Sequence, residues 1–371
     1  MNGNDGRALE RLGELVSVET PSRDAGRLDQ AYALIGKWGT DAIGREPERV
    51  EVEGVPHLLW RAPGEQRVLV LCHADTVFPE GTIDRRPFRV EGDRAFGPGV
   101  FDMKAGIVVA LEAIESIGDA ADQVTLLVTG DEETGSVTSR ALIESVAAQG
   151  AAVLVLEPSL DGALKIGRKG GSFYELHFQG RAAHAGLEPE LGRNALLEMA
   201  HWASEMVTLA DPDAGTTVTP TLAGAGTAMN VVPDSAVLSV DVRARTMAEL
   251  DRIDRAVHDL AERRGAIPDG VSVVISGGLN RPPLEEGASV SLVALCQAEA
   301  RRAGLAEPGT AAVGGGSDGN FTAALGVPTL DGLGPAGGGA HAEHEWVEIG
   351  SIGERVRIVA GMLRSLCADQ R

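Results

Sequence analysis

The sequence predicts an α/β protein: a mixed, largely parallel sheet flanked by helices, with a smaller ferredoxin-like α+β domain inserted into it. Three observations carry this. Short, continuously apolar runs at 67–72, 124–129 and 151–156 read as strands buried on both faces, as in a parallel sheet. Apolar residues at helical spacing lie between and after them. A middle segment has the order β-α-β-β-α-β of a ferredoxin-like unit.

In chain order, residues 104–117 place Ile107, Val108, Leu111 and Ile114 at helical spacing, after the first strand. The strands at 124–129 and 151–156 follow. The middle opens at 172–178, where Phe173, Glu175 and His177 alternate with Tyr174, Leu176 and Phe178. A helix is expected at 194–209, strands at 217–223 and 236–242, a helix at 247–264 and a strand at 271–276. The glycines at 167–171 and a turn at 277–283 read as boundaries. The inserted domain is therefore placed at 169–280, and the main domain at 1–168 plus 281–371. A domain inserted in this way is suited to closing over a site. The last helix, 353–366, carries Val356, Ile358, Val359 and Leu363. A chain of 371 residues also suits two domains better than one.

Composition excludes several classes. Lys and Arg total 33 against 54 Asp and Glu, a net charge of −21, which repels phosphate backbones and anionic membranes. Neither nucleic acid nor a membrane is expected as a partner. The three cysteines, Cys72, Cys296 and Cys367, form no CxxC pair, so neither a disulfide framework nor a thiolate zinc site is implied. The first residues lack the basic and apolar regions of a signal peptide, and no apolar run is long enough for a bilayer span. A cytoplasmic protein is the expectation.

Five stretches bring His, Asp and Glu to strand ends or glycine-rich loops. In His73-Ala74-Asp75 the two polar side chains share a face of a strand end, so Asp75 is placed to orient the imidazole; taken alone, the pair reads first as a strand-end His with a turn-forming Asp. Asp102, after Gly97-Pro98-Gly99, is either a helix N-cap or a ligand. Asp131-Glu132-Glu133 between two glycines is either a solvated turn or a cation site, because adjacent carboxylates repel one another when desolvated. Glu157 ends an apolar strand. His341 follows a glycine run, with His344 as a rival. Taken together, His73, Asp102, Glu133, Glu157 and His341 suit two divalent cations sharing one carboxylate, about 3.5–4 Å apart around an activated water. Glu132 is left over as a general base. The donor types favour two Zn2+ ions, with Co2+ or Mn2+ as substitutes.

These stretches, HADT, GPGVFDMKAG, TGDEETGS, LEPS, AAHAG and GAHAEHE, together resemble the M20 metallopeptidases, near the glutamate carboxypeptidase branch, whose relatives include acetylornithine deacetylase, succinyl-diaminopimelate desuccinylase and aminoacylases. The resemblance covers almost the whole chain. It implies a catalytic domain with a lid that makes a homodimer, and hydrolysis of the amide bond of an N-acyl amino acid or peptide. It implies that His73 and Glu157 bind one zinc, that Glu133 and His341 bind the other, and that Asp102 bridges them. Asp75 would steady His73, Glu132 would be the base, and the peptide bond Asp102–Met103 would be cis. His184 in AAHAG would stabilise the oxyanion from the partner subunit. Asn230 and Arg243 would hold the substrate's carboxylate side, and Gly315 and Gly316 would offer backbone N–H groups. In glutamate-specific relatives a lysine in the loop after the LEP glutamate lies beside the substrate's side chain. Here Lys165 comes after that loop, and Arg281 is a further basic candidate.

Two rival patterns occur. Gly315–Gly319 fits the G-x-S-x-G elbow of serine hydrolases around Ser317, but Asp331 and His341 follow it too closely for the usual intervening strands. Gly332–Gly337 fits GxGxxG, but Pro335 and further glycines do not open a helix. A non-catalytic binding protein on the same fold is the remaining alternative.

Overall fold

A computed structural model describes residues 3–265 and 270–368. These residues form two compact units. One takes the chain up to Gly167, then Glu285–Val313, then the chain from Ser317 onward. The other takes Arg168–Leu284 with Gly314–Gly316.

The first unit is built on a six-stranded sheet: β1 (Glu48–Val52), β2 (Val55–Trp60), β3 (Val68–His73), β4 (Val124–Thr129), β5 (Ala152–Val155) and, late in the chain, β10 (Thr329–Leu330). The order is β1-β2-β4-β3-β5-β10. β3, β4, β5 and β10 run parallel, and β1 and β2 pair antiparallel at one edge. Every residue of β3 and β4 is buried, as their apolar runs require. Alternate residues serve opposite faces. Val68, Val70 and Cys72 join the core that includes α3 (Ala105–Glu115) and α8 (Ile349–Cys367). Leu69 and Leu71 join Ile143, Val146 and Ala147 of α4 (Arg140–Ala147). The remaining main helices of this unit are α1 (Gly3–Val16), α2 (Ala25–Ile43) and α7 (Val290–Arg302).

α3 begins later than the spacing predicts. Residues 100–104 form a separate turn in which Asp102 (φ −113°, ψ 99°) and Met103 (φ −127°, ψ 33°) leave helical geometry. The peptide bond between them is cis. Asp102 is therefore no N-cap of α3. A Cβ on Gly106 would lie 2.1 Å from the Leu156 carbonyl oxygen, so glycine is what lets the helix start dock against the end of β5.

The second unit holds β6 (Gly170–Gln179), α5 (Ala195–Val207), β7 (Thr217–Ala225), β8 (Ser235–Ala244), α6 (Met247–Gly265) and β9 (Ser272–Arg281). Its sheet has the antiparallel order β7-β8-β6-β9, a ferredoxin-like topology. Tyr174, Leu176 and Phe178 of β6 face the helices, where Phe178 meets Trp202 edge to face at 6.0 Å. Phe173, Glu175 and His177 face outward. Asn194 caps α5 by accepting the Leu197 N–H at 3.2 Å.

The expected turn at 277–283 is largely strand. β9 continues to Arg281, pairing Gly277 with Tyr174 and Gly278 with Phe173. A Cβ on Gly277, at φ 91°, would sit 2.1 Å from the Phe173 carbonyl oxygen, so this glycine permits close strand approach instead of chain reversal.

Candidate metal centre

Register brings the site together. β3 and β4 pair in parallel, with His73 opposite Thr129, and Leu71 pairs with Val155 of β5, two residues before Glu157. His73, the acidic turn after Thr129 and Glu157 therefore emerge at one carboxyl edge, where open parallel sheets form ligand crevices.

At that edge His73 Nε2 lies 3.3 Å from Asp102 Oδ1 and 3.3 Å from Glu157 Oε1. His341 Nε2 lies 3.4 Å from Asp102 Oδ2 and 3.1 Å from Glu133 Oε2. The donor atoms of His73, Asp102 and Glu157 lie within 4.8 Å of one another, and so do those of Asp102, Glu133 and His341. Asp102 belongs to both sets, one carboxylate oxygen on each side. His341 has φ 63°, a left-handed conformation uncommon outside glycine, immediately after the glycine run.

The donor set fits divalent cations. Glu133, Glu157 and Asp102 are largely out of water, and Asp102 Oδ1 and Glu133 Oε1 are buried without hydrogen-bond partners. Carboxylate oxygens in that state are costly unless a cation meets them. The donors are all nitrogen and oxygen, suited to zinc, cobalt or manganese. Neighbouring Cys72 is buried, and burial pushes its thiol well above the ordinary range.

The neighbouring carboxylates favour protonation of both imidazoles. Asp102 and Glu133 raise the His341 pKa to about 10. Burial opposes protonation of His73, but Asp102, Asp75 and Glu157 overcome it and raise its pKa. For Asp102, burial is outweighed by His341 and His73, with Lys165 adding to them, and its pKa falls well below the carboxylate range. Burial raises that of Glu133.

Asp75 ties the two halves of the site. Its carbonyl oxygen lies 3.0 Å from His73 Nδ1, and its carboxylate accepts the N–H groups of Glu132 and Glu133 at 3.2 Å each. Ser22 Oγ donates to the same carboxylate at 2.7 Å. Of the three adjacent acids, Asp131 turns inward, accepting Thr138 N–H and Oγ1–H at 2.7 Å each. Buried His57 accepts the Gly130 N–H at 3.2 Å beside it. Asp318 accepts hydroxyls from Thr129 (3.2 Å) and Ser136. Sequence reasoning did not single out His57, Asp318 or Glu345. The Glu345 carboxylate, buried at 1% exposure, accepts N–H groups from Gly99, Phe101 and Asp102 at 2.8, 2.9 and 2.9 Å. Burial pushes its pKa up to about 7. Partners 243–246 positions away leave no spacing signal in the sequence.

The other expected residues lie in the second unit. His184 is exposed, and its strand segment bridges Val231, next to Asn230, whose carbonyl accepts the Ala185 N–H at 2.9 Å. His184 Nδ1 accepts N–H groups from Gly186 and Leu187 at 3.1 Å each. The carbonyls of Gly315 and Gly316 accept from Arg168 at 3.3 and 3.0 Å. Arg243 holds Asp241 through two hydrogen bonds, at 2.7 and 2.8 Å, and lies over the Phe173 ring.

The rival patterns find other uses. Ser317 is fully buried and its hydroxyl donates to Asp331 at 2.5 Å, which is no exposed nucleophile elbow. The glycines at 332–337 precede no helix start before Ile349.

The sequence profile of peptidase family M20/M25/M40 matches residues 69–365. The chain belongs to this family. Carboxypeptidase G2 of Pseudomonas sp. (strain RS-16) is 33% identical to this M20 chain over 315 residues, covering 83% of it and 75% of the relative. The succinyl-diaminopimelate desuccinylase of Alkalilimnicola ehrlichii is 30% identical over 350 residues, covering 87% and 90%. Among solved structures, aminopeptidase PepT of Bacillus cereus superposes with a TM-score of 0.78 at 21% identity, covering 98% of this chain and 99% of that one, which establishes the shared fold. This M20 peptidase is thus a metal-dependent hydrolase of amide bonds. Among the described residues, no helix is long and apolar enough to cross a membrane.

Proposed function

We propose that this M20 peptidase is a carboxypeptidase-like enzyme that cleaves the amide bond of an N-acyl amino acid or peptide bearing a free carboxylate. The observation that carries the reading is the pair of donor sets joined through Asp102. His73 and Glu157 would hold one Zn2+, Glu133 and His341 the other, with Asp102 between them; Co2+ or Mn2+ suits the same donors. When bound, such a cation pair polarises a carbonyl and makes water acidic enough to attack near neutral pH.

The chain's own residues do the rest. Glu132 takes a proton from the attacking water and passes it to the leaving nitrogen. Asp75 holds His73 by its carbonyl and the Glu132–Glu133 backbone by its carboxylate. Because His184 Nδ1 accepts two N–H groups, the neutral imidazole carries its proton on Nε2, as a donor to a developing oxyanion must. Arg243 and Asn230 receive the substrate's carboxylate side, and Gly315 and Gly316 line its path.

The second unit serves as lid and dimerisation domain of a homodimer, with His184 acting in the partner's site. The outward face of its sheet leaves Leu222, Val274 and Phe173 exposed, which supports a covering partner. Three buried free cysteines suit a reducing, cytoplasmic setting. Similarity to the desuccinylase favours a deacylase as second reading. A panel of dipeptides and N-acyl amino acids, assayed after chelation with and without Zn2+ or Co2+, separates the two. Metal-dependent cleavage of dipeptides with a free carboxylate supports the first. Metal-dependent turnover confined to N-acetyl or N-succinyl amino acids, with dipeptides left intact, supports the second, and metal-independent turnover contradicts both.

A further inference from the structure

We infer that Glu345 is a positioning residue that couples two ligand-bearing segments, so that the cation set of Asp102, Glu133 and His341 forms as a unit. The inference rests on the dinuclear reading above and goes beyond it. Glu345 touches both segments. Its side chain accepts three backbone N–H groups from the turn that presents Asp102: Gly99 on Oε2, Phe101 and Asp102 on Oε1. Its own N–H donates to the Ala342 carbonyl at 3.2 Å, closing the turn that presents His341. The flanking chain repeats the connection. Trp346 pairs with Phe96, just before the Asp102 turn, and also with Gly338, just before His341.

The two cation sets depend on Glu345 unequally. His73 ends β3 and Glu157 follows β5, so two of three ligands in the first set stand on the central sheet. In the second set only Glu133 is independent of Glu345, because Asp102 and His341 both sit in the turns it joins. Loosening Glu345 therefore weakens the second set more than the first. Groups that orient metal ligands typically contribute about 10–100-fold to affinity.

Glu345→Gln is the informative change. One carboxylate oxygen becomes an NH2 group facing a backbone N–H, donor against donor, while size is kept. Calorimetric titration of the chelated full-length protein with Co2+, with the visible spectrum recorded alongside, reads each site. In the wild type two binding steps are expected. In the variant the first step stays within about threefold and the second weakens about 10–100-fold, matching His341→Ala. Two steps of unchanged affinity in Glu345→Gln, with two in the wild type, would overturn the role of Glu345 and leave the dinuclear reading standing. Fewer than two steps in the wild type would instead overturn the dinuclear reading. If the variant does not fold, hydrogen exchange on the wild type decides. Segments 97–103 and 337–346 should gain protection together on the second equivalent of Co2+; protection gained at different equivalents contradicts the coupling.

Discussion

Adjacent side chains with the same chemistry diverge when the backbone turns between them. Asp131 points into the protein toward Thr138, while Glu133 points at His341. Glu132, held by its N–H to Asp75, is left for proton transfer in the proposed mechanism. Glu132→Gln is expected to lower kcat about 10²–10⁴-fold while the cation content of the purified protein stays at the wild-type value. Steady-state kinetics with elemental analysis checks both, and retained turnover would remove Glu132 from the role. The ligand candidates were legible because their residue types sit at strand ends and glycine loops, where a sheet collects chemistry. Glu345, Asp318 and His57 were not. They act on backbone groups or hydroxyls distant in sequence, and a lone Glu, Asp or His carries no mark of such a partner.

At the level of elements, the continuous apolar runs gave strands buried on both faces, and alternation in β6 gave one buried and one exposed face. Glycine was the less readable signal. At 277–278 it marks close strand packing, where composition suggested a turn. At Gly106 it marks helix docking. Gly106→Ala gains about 1 kcal/mol of helix propensity, but its Cβ would meet a backbone oxygen that cannot swing aside, at 2.1 Å. A net loss of about 1–3 kcal/mol in urea unfolding is expected, whereas a stabilised variant would contradict the packing. In the second unit, Glu249 accepts hydrogen bonds from Arg252 and Thr216, which lower its pKa from 4.5 to about 2. A depressed carboxyl stabilises the fold fully above about 4.5, and loses that contribution as pH falls through about 2. Glu249→Gln should therefore cost about 0.5–1 kcal/mol at pH 7, a small value because the pair is partly exposed. The difference from wild type should close between pH 4.5 and 2, as thermal melts across that range would read. A gap independent of pH would place its origin elsewhere.

Across the first unit, segments far apart in the chain converge on one sheet edge. The parallel sheet of the first unit levels the ends of β3, β4 and β5, and a late segment of the chain returns with His341 to the same place. That return was not legible from periodicity, because the residues around His341 are glycine-rich and belong to no long element. Crystals of the zinc-loaded protein, measured at the zinc absorption edge, test the central claim most directly. The account predicts two anomalous peaks per chain about 3.5–4 Å apart, with Asp102 between them, His73 and Glu157 on one side and Glu133 and His341 on the other. A single peak, or two peaks held by other side chains, would contradict it.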